Sequence, residues 1–510
     1  MTIVHNGRFK MTAIAKKKIS VMTLAFMTVA AVVSLRGLPM MATEGLSMLF
    51  YIGFCVIFFL IPASLVSAEL GGAFADRQGG VYTWVSEAFG SRWGFVAIWL
   101  QWIQNVVWYP TVLAFAAGAL AYLFMKPDLA AAGWYNTAII LIVYWAAHFM
   151  TLMGTDFAAK MTKWFMLLGT MLPGALMIGL GIVWVVQGNP VEFLKAADPT
   201  GTSVTSELAH ARLFPHITGL STISFLAGII LLFAGIEVQA VHANDMKTPS
   251  KDYPKSMFMA AIIIFALFTL GSLAIATVVP AKDISLTAGL MQAFESLLDK
   301  FGLKWATPIA GLLVAFGAIG GVMAWIGGPS RGLLQTAQEG EIPPFLAKTN
   351  AKGVQVTILL VQGVIVSTLA TIYLLFKDVS VAFFILSAMT VTLYLVMYML
   401  MYAAAIRLRK TQPDLPRSYK VPGGMGGMWA VAGIGFAAVL FAFVVGFVPP
   451  SQLKIGSPEL YVGLVGGGLV VFIGLPLLIH AFKKPSWRQA AAEASPVAPI
   501  DKAAPPSVAE

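Results

Sequence analysis

The chain has 510 residues, 58% of them hydrophobic and 11% charged, with a net charge of +10 and a mean hydropathy of +0.83. Soluble globular chains carry roughly 25% charged residues, so this composition excludes a set of water-soluble domains and leaves one polytopic membrane bundle. A single cysteine, Cys55, excludes an internal disulfide and a cysteine metal cluster.

Apolar runs of membrane length predict twelve spans, at 20–43, 47–70, 93–123, 131–154, 160–187, 217–243, 256–280, 305–333, 354–376, 379–406, 428–449 and 459–482. The basic N-terminus, 1–19, runs into the first apolar segment without a small-residue cleavage site, which predicts a retained span. Twenty-four of the 33 Lys and Arg fall on one set of segments and their span ends and eight on the other, while Arg36 stands apart within a span. The positive-inside rule then places both termini in the cytoplasm of a cell with the bundle in its inner membrane. That distribution accounts for the positive charge, so no nucleic-acid partner is called for; the surroundings are lipid.

The organisation follows as five spans (20–187), an outer loop (188–216), five more spans (217–406), a basic and then glycine-rich cytoplasmic loop (407–427), two last spans (428–482) and a tail (483–510). Within 281–304, Leu286, Leu290, Ala293, Leu297 and Phe301 recur at helical spacing and predict an amphipathic outer helix. Beyond 485 the Ala/Pro-rich composition predicts disorder.

Two spans are interrupted. The first carries Ser34, Arg36, Gly37 and Pro39; the sixth reads FAGIEVQAVHAND (233–245), with Gly235, Ile236 and Glu237 inside an apolar stretch. Each opens a set of five spans, about 200 residues apart, and matched breaks in two halves point to an inverted-repeat transporter with its substrate at the breaks. Proline removes a ladder N–H, and the freed backbone groups survive at membrane depth only where they line a cavity or lie within protein. The exposed helix ends suit a substrate carboxylate.

The polar side chains in the spans are the informative ones, because lipid makes them costly. Arg36 reads either as a second anion ligand or as a residue near the outer end that snorkels or pairs with Glu44. Glu237 reads as a proton carrier unless Arg36 holds it ionised, or as a structural acceptor for the broken backbone of the first span. On span 3, Gln101, Asn105 and Trp108 share a face at i, i+4 and i+7, as substrate ligands or as interhelical glue. Trp325 sits among the small residues of GAIGGVMAWIGGPSRG (317–332), as a lid or as an interface aromatic. His148, His242 and His480 lack metal-ligand spacing, and His242 near the cytoplasmic face is a candidate pH sensor. No catalytic triad, metal cluster or nucleotide loop is present in the sequence, so neither an enzyme nor a cofactor is predicted.

Four blocks carry a family resemblance: AELGGAFADRQGGVYTWVSEAFG (68–90), GIEVQAVHANDMKTPSKDYPKSM (235–257), VVPAKDISLTAGLMQAF (278–294) and AWIGGPSRGLLQTAQEGEIPPFLAKTNAKGVQV (324–356). Over about residues 20–485 the chain resembles the amino acid–polyamine–organocation superfamily, and more closely its bacterial glutamate/GABA antiporters. The resemblance implies an all-α LeuT-like fold with a five-plus-five inverted repeat, broken helices 1 and 6, and alternating access. It implies exchange of an amino acid for its decarboxylation product, in partnership with a cytoplasmic decarboxylase that consumes protons and supports acid resistance. Glu237 falls on a glutamate linked in relatives to proton sensing or structural coupling, Trp325 on a gating aromatic, and Gln101 on a gating tyrosine of arginine/agmatine exchangers. Leu231 stands where those exchangers carry a stacking tryptophan, which argues against arginine as substrate. The chain departs from its relatives at AVVSLRG (31–37), which lacks a Gly-Ser-Gly and puts Arg36 where glutamate/GABA exchangers have tyrosine. Gly321 replaces an acidic residue, and the tail lacks a histidine-bearing plug.

The expected substrate site comprises Ser34, Arg36, Gly37, Gln101, Asn105, Gly235, Ile236 and Trp325, with Glu237 for coupling. The expected activity is uptake of glutamate against export of GABA. A proton-coupled symporter, an exchanger of another amino acid and amine pair, and a transport-silent membrane sensor are the alternatives.

Overall fold

A computed structural model describes residues 19–74, 77, 80–194, 212–238 and 246–494. Among these the protein is all-α. The only sheet-like contact is one isolated bridge between Ile19 and Met246. Span 1 is a bent pair, Val21–Ala30 and Leu35–Ala42, that turns by 51°. Spans 2 to 12 are Gly45–Ala73, Ser91–Leu123, Gly133–Leu152, Lys160–Val186, Leu220–Val238, Pro249–Val278, Lys304–Gln338, Val356–Leu375, Val379–Thr411, Gly424–Val445 and Pro458–Ala481. Among the described residues that makes eleven helices long and apolar enough to cross a membrane, or twelve with the bent pair, and the protein is a multi-pass membrane protein. His242 lies outside the described residues.

Both predicted breaks are present, but the first is displaced. Val33 and Ser34 are extended, a 3-10 turn follows at Leu35–Gly37, and helix resumes at Leu38 with Pro39 in its first turn. Proline is tolerated there because no intrahelical N–H is needed, so Pro39 starts the second piece rather than breaking the first. Gly37 has ordinary helical φ, and its role is steric: a Cβ there would lie 2.2 Å from Leu232 Cδ1 of span 6. In span 6, Phe225–Phe233 ends at an extended Ala234, and Gly235 takes φ +105°, a region that disfavours side chains.

Other irregularities follow proline. Spans 2 and 5 each contain a π-helical stretch, Cys55–Leu60 and Leu167–Met171, placed just before Pro62 and Pro173. The wider turn absorbs the clash and the missing donor that proline imposes on the preceding turn.

Span 8 packs closely against spans 3 and 5 because its small residues let backbones meet. A Cβ on Gly311 would lie 2.6 Å from Ala119 O, and one on Gly317 would lie 2.2 Å from Gly169 O. Gly321, Gly327 and Gly328 of the same span face open space. The glycines of span 8 thus divide between packing and making room.

The predicted amphipathic helix is present as Gly289–Lys300, with Leu290, Ala293 and Leu297 buried. Two short helices were not expected. Val81–Phe89 precedes span 3, and Pro485–Ala494 replaces the disorder predicted for the start of the tail. Pro485 opens this last helix, an alanine-rich run carries it, and Arg488 anchors it to the buried Glu341 at 3.3 Å.

Near the same face, Glu69 of span 2 is 2% exposed and bound by two arginines. Arg409 Nε donates to Glu69 Oε1 at 2.7 Å, Arg417 Nε lies 3.0 Å from the same oxygen, and the Val421 N–H donates to Oε2 at 2.7 Å. This cluster ties the 407–427 loop to span 2.

Candidate substrate site

Spans 1, 3, 5, 6 and 8 line a cavity of about 1160 Å³, to which span 10 adds Tyr394. One end is rimmed by exposed polar residues, Lys163, Arg331, Gln338 and Lys352, and there it opens. The other end is closed by buried residues, among them Leu35, Arg36, Val112 and Phe115. The broken backbones of spans 1 and 6 both reach it, through Ser34 and through Ala234 and Gly235.

Of the expected residues, Ser34, Arg36, Gln101, Asn105, Gly235, Glu237 and Trp325 line this one cavity. Gly37 and Ile236 do not; Gly37 abuts Leu232, and the Ile236 side chain is fully buried elsewhere.

Glu237 is 1% exposed and its oxygens are taken up by three donors. Gln101 Nε2 donates to Oε1 at 2.8 Å, Tyr394 Oη donates to Oε1 at 2.6 Å, and Tyr398 Oη donates to Oε2. Tyr398 also accepts the Gly235 N–H at 2.8 Å, so the backbone freed by the span 6 break is satisfied by the group that holds the carboxylate. Arg36 takes no part in this cluster.

Arg36 is 3% exposed, so it does not snorkel, and it does not pair with Glu44, which accepts instead from Gln452 Nε2 at 2.7 Å. Its Nη1 donates to Thr111 Oγ1 at 3.2 Å and to Ser387 Oγ at 3.4 Å. The guanidinium carbon lies 5.2 Å from the Phe383 ring and 6.0 Å from that of Trp108, while Nε has no partner. The Thr111 hydroxyl is committed as an acceptor towards Arg36, since it donates to Trp108 O at 2.7 Å. No carboxylate among the described residues forms an ion pair with Arg36.

Between the two charged groups stand two indoles. Trp108 meets Trp325 edge-on at 6.4 Å, and Trp325 is so close to Gly235 that a Cβ there would lie 2.7 Å from its Cη2. Asn105 donates to Gln101 O at 2.8 Å along its own helix. Residues 19–470 match the sequence profile of a family described as amino acid permease.

The chain belongs to the amino acid permease family, within the amino acid–polyamine–organocation superfamily.

This permease is 39% identical over 464 residues to an uncharacterised transporter of Legionella pneumophila, covering 91% of the chain and 97% of that protein. It is 33% identical over 469 residues to a glutamate/gamma-aminobutyrate antiporter of Lactococcus lactis, covering 91% and 90%. A probable agmatine/putrescine antiporter of the same species is 23% identical over 462 residues. The chain is thus a transporter rather than an enzyme, and small amino acid-like molecules are its substrates.

Sequence reasoning found both charges and missed their partners. Tyr394 and Tyr398 lie at i and i+4 on span 10, a spacing that puts two phenols on one helix face. That spacing was the available signal. Nothing in Thr111 or Ser387 marks them locally, because hydroxyls in spans commonly bond their own helix.

Proposed function

We propose that this permease is an antiporter of the inner membrane that takes up an acidic amino acid, glutamate, and releases its decarboxylation product GABA. The observation that carries the reading is the charge of the cavity. Its lining carries Arg36, Lys163, Arg331 and Lys352 against one carboxylate, Glu237, whose oxygens are already occupied. Such a cavity favours anionic and zwitterionic substrates and disfavours diamines. The similarity to the lactococcal glutamate/gamma-aminobutyrate antiporter supports the same choice.

In this reading the backbone of the broken spans holds the α-carboxylate near Ser34 and Gly235, and Arg36 holds the side-chain carboxylate by charge-assisted bonds. Both termini are cytoplasmic by the positive-inside rule, so the open end of the cavity faces the cytoplasm. A cytoplasmic decarboxylase supplies the outgoing amine and consumes a proton at each turnover, which gives the pair a part in acid resistance. Glu237 serves as the coupling residue, for protons or for structure, joining span 6 to spans 3 and 10 through Gln101, Tyr394 and Tyr398. Glu237→Gln flattens the pH profile of transport, and a profile of unchanged shape would make the residue structural.

The experiment is labelled-glutamate uptake into proteoliposomes, empty or loaded with GABA, at about pH 5.5 and 7.5. Uptake confined to GABA-loaded vesicles is the expected result. Uptake into empty vesicles would indicate symport, and no uptake at all would remove glutamate as substrate.

A further inference from the structure

Arg36 presents a physical anomaly that substrate recognition alone does not explain. Its guanidinium is buried in a closed part of the bundle with only neutral company: two hydroxyls, two aromatic rings and the Tyr373 phenol. Nε has no partner, and the one acid lining the cavity is held by Gln101, Tyr394 and Tyr398. A buried charge without a counter-ion is costly, and hydroxyls and aromatic faces offset that cost only in part.

The placement of this charge matters as much as its burial. Arg36 belongs to the bent span 1, Thr111 to span 3 and Ser387 to span 10, so the bonds of this cavity-lining arginine join three spans at the end away from Lys163 and Lys352. For that end to open, span 1 has to part from spans 3 and 10. In passing between its two open states the carrier must enclose the guanidinium fully. An empty carrier encloses a lone cation, whereas a loaded one encloses a carboxylate–guanidinium pair.

We propose that Arg36 makes transport an obligatory exchange, because its charge has to be neutralised by a substrate carboxylate before the carrier can change sides. The inference rests on the exchange reading above and deepens it. Decarboxylation of glutamate removes the α-carboxylate and leaves the side-chain carboxylate in place. A residue that binds that carboxylate is therefore neutralised by both members of the pair. Nε, buried and without a hydrogen-bond partner, is a donor that such a carboxylate would satisfy.

The test compares two rates in proteoliposomes of full-length protein loaded with labelled GABA: efflux into buffer containing glutamate, and efflux into buffer without substrate. Wild type shows a large ratio of the first rate to the second. In Arg36→Gln, which also weakens substrate binding and so lowers the exchange rate, the ratio falls by roughly tenfold or more, a change that corresponds to about 1.4 kcal/mol of barrier. The paired substitution Thr111→Val with Ser387→Ala moves the ratio the other way, because it strips the cation of its hydroxyl partners and slows the empty carrier further. The second arm keeps the test open if Arg36→Gln does not fold. An active Arg36→Gln with the wild-type ratio, or a paired variant whose ratio falls, overturns the proposal. Equal rates in wild type overturn the exchange reading itself before any variant is compared, so the two failures are distinguishable.

Discussion

The Tyr398 hydroxyl donates to Glu237 Oε2 while accepting the N–H of Gly235, so one phenol serves both the carboxylate of span 6 and the break beside it. The two residues lie 161 positions apart in the chain. Tyr394 donates to the other carboxylate oxygen, Oε1.

This difference between the tyrosines has a measurable consequence. Tyr398→Phe leaves a buried N–H without an acceptor and a carboxylate oxygen without a donor, each costing about 1–3 kcal/mol. Tyr394→Phe removes one donor from an oxygen that still accepts from Gln101. Thermal unfolding in detergent is therefore expected to fall further for Tyr398→Phe than for Tyr394→Phe. Equal losses would mean that the Gly235 bond contributes nothing.

Gly37 is a contact residue between the two broken spans. Gly37→Ala drives a methyl group into Leu232 and destabilises the protein by about 1–3 kcal/mol, the usual range for overpacking. Gly37→Ala combined with Leu232→Ala makes room and restores part of the loss. The double variant being no more stable than Gly37→Ala would point to backbone conformation instead, which its helical φ of −84° argues against.

Glu69 is the keystone of a buried ion cluster, so its removal leaves Arg409 and Arg417 facing each other without a counter-charge. Glu69→Ala is expected to cost about 3–5 kcal/mol, as when one partner of a buried pair is removed. Loss of monodisperse protein on gel filtration, or a large fall in Tm, checks this. A Tm near that of wild type would show that water reaches the arginines.

Glu44 lies in the turn between spans 1 and 2, where burial pushes its carboxyl up to about 8 from an ordinary value of 4.5, with the Gln452 amide opposing the shift. The folded protein then holds a proton that the unfolded chain has released between those values, so this group's contribution to stability falls as pH rises from about 4.5 to 8. Glu44→Gln removes that slope and keeps an acceptor for Gln452. Relative to the variant, wild-type Tm is expected to decline across that window. Parallel Tm curves would indicate a carboxylate already ionised at pH 5.

Much of this architecture is legible in the chain because lipid imposes its costs residue by residue. Runs of apolar residues define the spans, and both breaks show in Ser34–Pro39 and Gly235–Glu237, where polar, glycine or proline residues interrupt an apolar stretch. The same reasoning picks out Arg36 and Glu237, since a charge inside a span is rare enough to be read locally. The π turns before Pro62 and Pro173 and the short helix at Pro485–Ala494 escaped it, since they depend on turn geometry and docking rather than on hydropathy.

Sequence alone therefore determined where the chain crosses the membrane, where two crossings break and which charges are anomalous. Only the tertiary structure decided that Arg36 and Glu237 are not partners, that Arg36 meets Thr111 and Ser387, and that Glu237 is held by Gln101, Tyr394 and Tyr398. Those contacts join residues between 75 and 351 positions apart. They depend on how each helix is rotated and crossed against its neighbours, and hydropathy carries no record of that rotation once a span is buried on several sides.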